Sequence, residues 1–259
     1  MIITLTTDFG LADPFVGIMK GVILGSAPEA RLVDITHEIR SYDVLEAAFL
    51  IDAAFRYFPE GTVHVVVVDP GVGSPRRPLA AAAQGHLFVA PDNGVLSYVL
   101  DQEPSAPPPA IHWINNRRLC LESVSRTFHG RDVFAPVAAH LARGVPIESV
   151  GPRIEDVVMH AFPRLRREGA TLVAAILHVD KFGNIVTNLR REHLGDGDFT
   201  IRVAGRTITR LCSTFSEAGP GELFVVEGST GYLEIALNQG SAADRLGVKR
   251  GAEVELETT

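Results

Sequence analysis

Residues 65–77, VVVVDPGVGSPRR, join a run of four valines to one acid and two bases. Asp69 follows the valines directly, and Arg76 and Arg77 lie at the end of the same segment. An arginine stays protonated at physiological pH and can stabilise a developing anion, while a carboxylate can orient a water molecule or accept its proton. Asp69 could also bond the amides of a simple turn, with both arginines in solvent. The segment by itself leaves both interpretations open.

An acidic loop follows the first predicted strand. Asp8 comes directly after the stretch MIITLTT, and Asp13 lies a few residues later, next to Pro14. Asp8 could accept hydrogen bonds from two ribose hydroxyls, or the two carboxylates together could bind a metal ion. Asp13 could instead cap a helix whose first residue is Pro14. The loop is a candidate binding site with a structural alternative for Asp13.

Two later loops also carry residues that could do chemistry. His129 lies in TFHGRD, just before a predicted helix, and Asp180 and Asn184 lie in HVDKFGNIVTN. A histidine can exchange a proton near neutral pH, although a lone histidine beside a helix is more often structural. A β-hairpin with an Asx turn would equally explain the second loop.

Alternating strands and helices must position these loops. The run 62–69 is apolar without alternation, as expected for a strand that is covered on both faces. The order of elements predicts an α/β domain with a mainly parallel sheet, in which ligands bind at the carboxyl ends of the strands. Predicted strands lie within 1–7, 30–36, 62–69 and 86–94, and predicted helices within 13–28, 43–59, 94–102 and 130–144.

The pattern changes near residues 160–170. Beyond this point, short β-type runs are separated by glycine turns at the spacing of a small antiparallel barrel or sandwich. We therefore expect an α/β domain over 1–163 and a smaller all-β domain over 164–259. A proline-rich segment, 103–110, is predicted to be an exposed loop of the first domain.

The composition argues against several classes of protein. The 259 residues carry a formal net charge of −7 with no basic block, which disfavours a nucleic-acid partner. No apolar stretch approaches the ~18 residues of a membrane span, and the N-terminus lacks the pattern of a signal peptide. Cys120 and Cys212 lie far apart and fit two buried thiols in a reducing compartment. These features predict a soluble cytoplasmic protein.

The order of the motifs is more specific than any one of them. TTDFG, DPFVG, VVVVDPGVGSPRR, APDNG, TFHGRD, DKFGNIVTN and GYLEIALN follow one another over essentially the whole chain. In this order they closely resemble the S-adenosyl-L-methionine hydroxide adenosyltransferases, relatives of the fluorinating and chlorinating enzymes that use the same substrate. The resemblance implies hydrolysis of S-adenosyl-L-methionine to adenosine and L-methionine, by attack of a water-derived hydroxide on the ribose 5′-carbon. It also implies a homotrimer without cofactor or metal, whose active sites lie between the N-terminal domain of one subunit and the C-terminal domain of its neighbour.

The resemblance also implies roles for particular residues. The catalytic positions of the family fall on Asp69, Arg76 and His129. The halogenating relatives carry other residues at the Asp and His positions, and a serine for the halide where this chain has Gly130. These differences favour hydroxide over halide as the nucleophile. Which of Asp69 and His129 accepts the proton stays open.

The substrate-binding positions of the family fall on Asp8, Asp13, Tyr42, Asp180, Asn184, Phe215, Ser229 and Asn238. Asp8 matches the acid that holds the ribose hydroxyls, while Asp13 matches an acid near the methionine end. Asp180 is the expected partner of the methionine ammonium, and Ser229 matches a serine near the carboxylate. Asn184, Phe215 and Asn238 match positions around the adenine, and Tyr42 stands where the halogenating enzymes carry a tryptophan. Thr230 replaces an arginine, so the group that neutralises the carboxylate is not identified.

Two other functions stay open at this point. A metal-dependent nucleoside hydrolase is suggested by the acidic loop with Asp8 and Asp13, and it would release free base and ribose. A non-catalytic protein that senses adenosine or S-adenosyl-L-methionine would use the same pocket without turnover.

Overall fold

The chain divides after Ala161 into two units, each built around its own sheet. The computed structural model describes residues 1–101 and 107–259. The first unit ends at Ala161 and the second begins at Phe162, close to the boundary at 163/164 that the sequence predicts. Positions 103–106 of the predicted proline-rich loop lie outside the described residues.

The described part of the first unit contains six strands in the order β2-β1-β3-β5-β4-β6. Their bounds are β1 Ile2–Thr7, β2 Arg31–Thr36, β3 Val63–Val67, β4 Pro78–Ala83, β5 His86–Pro91 and β6 Ala110–Trp113. The sequence predicts four of these strands, β1, β2, β3 and β5. Where these four strands pair with one another, they run parallel. Strands β4 and β6 pair antiparallel at one side, so the sheet is mixed. Strands β4 and β6 were not predicted. The PLAAAA sequence of β4 lacks the β-branched and aromatic residues typical of strands.

Helices cover both faces of this sheet. The described α-helices of the first unit are α1 Phe15–Ser26, α2 Val44–Phe55, α3 Ser97–Leu100 and α4 Ala135–Ala142. A π-turn at Gly130–Phe134 precedes α4. Val65 and Val67 of β3 pack in one buried cluster with α1 and α4, whereas Val66 packs in a second cluster with α2 and α3. Both faces of β3 are therefore buried, as its unbroken apolar run predicts.

The two predicted helix starts have different outcomes. The Asp43 carboxylate accepts a hydrogen bond from the Glu46 amide at 3.0 Å and caps α2, which confirms the predicted start. Helix α1 begins at Phe15 with Pro14 at the cap position, and no side chain caps it. The structural alternative for Asp13, that it caps this helix, is therefore wrong. Helix α3 is shorter than the predicted helix at 94–102.

Residues Phe162–Thr259, all of which are described, form a nine-stranded, largely antiparallel sheet. Eight strands follow the order β11-β10-β15-β8-β9-β14-β13-β12, and β7 pairs with β8. Their bounds are β7 Arg166–Glu168, β8 Thr171–Val179, β9 Ile185–Thr187, β10 Phe199–Val203, β11 Arg206–Ile208, β12 Leu211–Cys212, β13 Leu223–Glu227, β14 Leu233–Leu237 and β15 Glu253–Thr258, with one helix, α5 Ala242–Leu246. Short strands follow one another throughout this part of the chain, as the sequence predicts.

Both cysteines are free thiols, but only Cys212 is buried, while Cys120 is half-buried. No helix among the described residues is long and apolar enough to span a bilayer. The cytoplasmic location stays a prediction of the sequence.

Candidate active site

Three side chains meet where β3 ends. Arg76 Nε donates to Asp69 Oδ1 at 3.0 Å, and Arg76 Nη2 donates to Asp69 Oδ2 and to His129 Nδ1, the latter at 2.8 Å. The Arg76 and Asp69 side chains are only 8% and 5% exposed. The Phe134 ring lies 5.4 Å from Arg76 Cζ, and Arg76 Nη1 has no hydrogen-bond partner among the described residues. The structure thus joins Asp69 and His129 through one buried guanidinium.

A close approach of two loops sets this geometry. Gly73, in the loop between Asp69 and Arg76, has a φ of +79°, in the left-handed region that favours glycine. A Cβ atom at this position would lie 2.3 Å from the carbonyl oxygen of Arg126, in the loop that leads to His129. Only glycine therefore allows the two loops to contact each other in this way.

The loop that carries His129 is held by a buried acid. Asp132 is fully buried in the π-turn and accepts hydrogen bonds from the Ser125 amide at 2.8 Å and from Arg131. Ser125 Oγ in turn accepts a hydrogen bond from the Phe128 amide at 2.9 Å. A π-turn is rare and often occurs at functional sites. These bonds tie the segment before His129 to the π-turn that follows it.

The contact with Arg76 determines the protonation state of His129. A guanidinium can only donate, so His129 Nδ1 must accept and the ring proton must lie on Nε2. Burial lowers the pKa of His129, and the positive charge of Arg76 lowers it further. His129 is therefore a neutral imidazole near neutral pH, with an N–H group at Nε2.

One cavity of about 410 Å³ brings together most of the site residues predicted in the first unit. Its lining includes Asp8, Asp13, Tyr42, Asp69 and His129. Asp8 Oδ2 accepts a hydrogen bond from the Tyr42 amide at 2.8 Å. Tyr42 has a φ of +71°, which is strained for a residue with a side chain and is typical of functional loops.

Aromatic rings, which the sequence analysis did not single out, form another part of this cavity. Phe9, Phe15 and Phe128 all line it and contact one another edge to face, with ring centroids 5.3–6.0 Å apart. Phe15 is the first residue of α1, and its side chain is 41% exposed. Arg76 does not line this cavity; with His129 it lines a second one of about 330 Å³.

The second unit has its own cavity of about 860 Å³. All five binding residues predicted in this unit line it: Asp180, Asn184, Phe215, Ser229 and Asn238. The predicted Asx turn is also present, because Asp180 Oδ1 accepts from the Phe182 and Asn184 amides at 2.8 and 2.9 Å. Asp180 Oδ2 accepts from Asn184 Nδ2 at 2.9 Å. Asp180 therefore has a structural task whether or not it also binds a ligand.

Two acids in this cavity were missed by the sequence analysis. Glu227 and Glu234 belong to the lining, and Glu234 is half-buried. Burial raises the pKa of Glu234, and the negative charge of Asp180 raises it further. In the sequence, Glu234 is a single acid inside an apolar strand. Such acids are common on the solvated faces of sheets, so this pattern did not indicate a site.

Arg77 differs from its neighbour Arg76. Its guanidinium donates to Asp92 Oδ2 at 2.8 and 3.0 Å and to Asp156 Oδ1 at 2.9 Å. Asp92 Oδ1 accepts from the Val158 amide at 2.8 Å. These bonds link the end of β5 to the segment around 156–158, so Arg77 has a structural role.

The acidic loop was also a candidate metal site. Within 1–101 and 107–259, no group of three or more His, Cys, Asp and Glu side chains converges in a way that could hold a metal ion. Asp8 and Asp13 lie within these ranges and are therefore not part of such a group.

Two family models match the chain in order. The N-terminal domain model of the SAM hydroxide adenosyltransferases matches residues 3–151, and the C-terminal domain model matches residues 174–255. The two matched segments fall in the two structural units. The match covers well over half of the chain.

Individual relatives agree with the family models. The (R)-S-adenosyl-L-methionine hydrolase of Salinispora tropica is 42% identical over 257 residues, covering 98% of this chain and 97% of that protein. The (R)-S-adenosyl-L-methionine hydrolase of Thermus thermophilus is 39% identical over 262 residues, covering 96% and 97%. The crystal structure of an uncharacterized conserved protein from Thermotoga maritima superposes with a TM-score of 0.90 at 38% identity and covers 99% of both chains. This chain therefore belongs to the SAM hydroxide adenosyltransferase family.

Proposed function

We propose that this chain hydrolyses S-adenosyl-L-methionine to adenosine and L-methionine. Family membership and the two hydrolase relatives support the reaction. The observation that carries the proposal is the buried Arg76 guanidinium, which holds Asp69 and His129 together beside a cavity. A fixed cation between a carboxylate and a neutral imidazole is suited to forming and stabilising hydroxide.

The reaction needs a nucleophile more than it needs help with the leaving group. The oxygen of water forms a bond to the 5′-carbon, the bond from carbon to sulfur breaks, and sulfur leaves with the electron pair as a neutral thioether. Bulk water has a pKa near ~15.7, so hydroxide is scarce at neutral pH. Arg76 stabilises the developing negative charge on oxygen by charge and hydrogen bonding.

We assign the proton to Asp69. His129 cannot accept it while Arg76 donates to Nδ1, because the other ring nitrogen already carries a hydrogen. Its Nε2–H group is suited to donate to the oxygen of water and orient it. Asp69 keeps unused lone pairs on both oxygens and accepts the proton as the carbon–oxygen bond forms. The two residues that the sequence left as equal candidates thus receive different roles.

Positioning of the reactants contributes further to the rate enhancement. Attack in line with the carbon–sulfur bond requires water, the 5′-carbon and sulfur to be nearly collinear. Holding reactants in this way can contribute roughly 7–11 kcal/mol. Asp8 is suited to bind the ribose hydroxyls, because its Oδ2 is already oriented by the Tyr42 amide and its Oδ1 is left for a ligand. Asp13, on the same cavity, fits the methionine end.

We further propose that the active site is completed by a second copy of the chain in a homotrimer. The predicted binding residues are divided between two cavities, one in each unit, and the family resemblance implies that neighbouring subunits share a site. Mixing Asp69→Asn subunits with Asn238→Ala subunits tests this arrangement. If sites are shared, one of the three sites in each mixed trimer has both halves intact, which is about a quarter of all sites in an equimolar mixture, and activity returns. If each chain forms its own site, the mixture stays inactive.

The reaction is tested by incubating the chain with S-adenosyl-L-methionine in ¹⁸O-labelled water that contains a chelator. We expect adenosine labelled at its 5′-hydroxyl and unlabelled methionine, and near-complete loss of both products with Asp69→Asn or Arg76→Ala. A 5′-halogenated product in the presence of chloride would contradict the proposal. Free base and ribose would favour a nucleoside hydrolase, and tight binding without product would favour a sensor.

A further inference from the structure

His37 is a buried histidine close to the acidic loop but outside the candidate active site. It is 4% exposed and does not belong to the described lining of the 410 Å³ cavity. His37 follows β2 directly, just as Asp8 follows β1. Because β1 and β2 are parallel neighbours, the loops after them emerge side by side at the same edge of the sheet.

Two groups of His37 hold the loop that carries Asp8. The Thr7 hydroxyl and His37 Nδ1 share a hydrogen bond of 2.8 Å, and the Phe9 amide donates to the same hydroxyl oxygen at 3.2 Å. The His37 carbonyl oxygen accepts a hydrogen bond from the Gly10 amide at 2.8 Å. The residues on both sides of Asp8 are therefore tied to His37.

A carboxylate anchors the other edge of the imidazole. His37 Nε2 lies 3.1 Å from Asp34 Oδ1, and Lys20 Nζ donates to Asp34 Oδ2 at 2.6 Å. A ring nitrogen that faces a carboxylate at this distance carries its hydrogen, because two lone pairs would repel each other. Burial raises the pKa of Asp34, but the hydrogen bond from Lys20 and the contact with His37 outweigh burial and hold this pKa below its ordinary value. Asp34 therefore stays charged and fixes the orientation of His37 toward Thr7.

The carboxylate of Asp8 is held by the same segment of chain. Asp8 Oδ2 accepts from the amide of Tyr42, which lies five residues after His37 in the loop between β2 and α2. Both the backbone around Asp8 and its carboxylate thus take their position from this loop. A shift of the loop at His37 would move the Asp8 oxygen that is left for a ligand.

Resting on the proposed function, we propose that His37 is a positioning residue for recognition of the sugar. It acts through Thr7 and the adjoining loop, and it holds the Asp8 carboxylate where it accepts hydrogen bonds from both hydroxyls of a ribose. The ligand class selected in this way is a nucleoside with free 2′- and 3′-hydroxyls. A 2′-deoxynucleoside leaves one of the two hydrogen bonds unmade and is disfavoured.

Selectivity between two substrates separates this role from a general effect on folding. The value of kcat/KM is measured for S-adenosyl-L-methionine and for its 2′-deoxy analogue, and the wild-type chain prefers the former. His37→Phe keeps an aromatic ring but lacks both nitrogens, and it lowers this preference about 10-fold because Asp8 is no longer held in place. His37→Asn, whose side-chain amide can replace Nδ1, recovers part of the preference.

His112→Phe is the matched control for the loss of a buried histidine. His112 is 5% exposed, and its Nδ1 lies 2.9 Å from the carbonyl oxygen of Gly151, in contact with neither of the two loops. Urea denaturation reports the stability lost in each variant. His112→Phe keeps the preference for the ribose substrate whatever stability it loses.

Thr7→Val tests the connection itself, and it also serves if His37→Phe does not fold. This substitution removes the hydroxyl with little change in shape, and it lowers the preference by a factor similar to that of His37→Phe. The double variant lowers the preference no further, because both substitutions break the same connection. Additive losses in the double variant would contradict the proposal.

Calorimetric binding of adenosine and 2′-deoxyadenosine gives a second readout that needs no turnover. His37→Phe and Thr7→Val reduce the difference in affinity between the two nucleosides, and His112→Phe leaves it unchanged. An equal loss for both nucleosides in His37→Phe, or wild-type protein that binds both equally, would overturn the proposal. If the nucleosides bind as described while S-adenosyl-L-methionine yields no adenosine, the hydrolase proposal fails and the assignment of His37 stands.

Discussion

Arg76 Nη2 lies 2.8 Å from His129 Nδ1 and donates a hydrogen bond to it. Because this bond requires an unprotonated Nδ1, it exists only while His129 is neutral. The same guanidinium binds both oxygens of Asp69. The charge on His129 therefore decides whether the three side chains keep one arrangement.

The pH dependence of turnover should report this bond. Burial and the charge of Arg76 hold the pKa of His129 below its ordinary value of 6.5. We expect kcat/KM to stay level as the pH falls through 6.5 and to decline only below that value. In His129→Asn, whose Oδ1 can still accept from Arg76, the acidic limb due to the imidazole disappears. An inflection at or above pH 6.5 that vanishes in the variant would contradict the assignment.

Adjacent arginines should affect turnover differently when each is replaced by lysine. Arg76→Lys cannot contact Asp69 and His129 together, so we expect kcat to fall about 10²- to 10³-fold. Arg77→Lys weakens the contact with the buried Asp92 carboxylate and lowers the free energy of unfolding by about 1–3 kcal/mol, with kcat/KM nearly unchanged. Urea denaturation and steady-state kinetics of both variants test this difference, and equal kinetic losses would refute it.

Gly73→Ala tests the contact between the two catalytic loops. The new methyl group would lie 2.3 Å from the Arg126 carbonyl oxygen, so the loops must separate and Asp69 moves relative to His129. We expect at least a 10-fold loss of kcat, on the scale of a misplaced catalytic group. Gly61→Ala is the matched control, since Gly61 has a similar φ of +80° but open space around its Cβ position. It shares the backbone strain, about 1–2 kcal/mol, and should keep its kcat.

The folded state should lose stability in mild acid because of a buried histidine. Thr4 Oγ1 lies 2.7 Å from His64 Nδ1, His64 Nε2 lies 3.3 Å from His86 Nδ1, and burial lowers the pKa of His64 from 6.5 to about 3. Unfolded chains bind a proton at this residue below pH 6.5, whereas the folded chain does so only near pH 3. The contribution of neutral His64 to stability is therefore complete above pH 6.5 and is lost as the pH falls from 6.5 toward 3.

Urea unfolding between pH 7.5 and 5 measures this effect. In this acidic range, His64→Asn should remove a slope of up to about 1.4 kcal/mol per pH unit from the free energy of unfolding. The variant is less stable overall, so the slope and not the absolute value is the criterion. An unchanged slope would mean that His64 titrates alike in the folded and unfolded chains.

Local sequence determined some features of this structure and left others undetermined. The cap at Asp43 and the β-branched strand β3 follow from near neighbours in the chain, and both were predictable. Four of the six residues of strand β4 are alanine, and it is a strand because β5 and β6 flank it, which no local pattern shows.

The residues of the site also include contacts that local sequence could not predict. Asp69 and His129 belong together only through Arg76, across 53 residues of chain between the arginine and the histidine. Spacing could not predict that contact, and the order of motifs suggested it only through the family resemblance. Glu234 was missed because an acid in a strand is ordinary, and its distinctive properties come from Gly228 and Asp180, which fold against it.

Gly130, next to His129, constrains how this chain could acquire a new nucleophile. A Cβ atom at this position would lie 3.1 Å from Met19 Sδ and 3.2 Å from Phe128 Cε2, and Met19 is fully buried. The serine that the halogenating relatives are expected to use for the halide therefore fits here only if the Met19 side chain or the Phe128 ring shifts by a few tenths of an ångström. A substitution that changes the nucleophile at this position is thus coupled to the packing of the domain core, and its effect on stability and its effect on the reaction must be measured together.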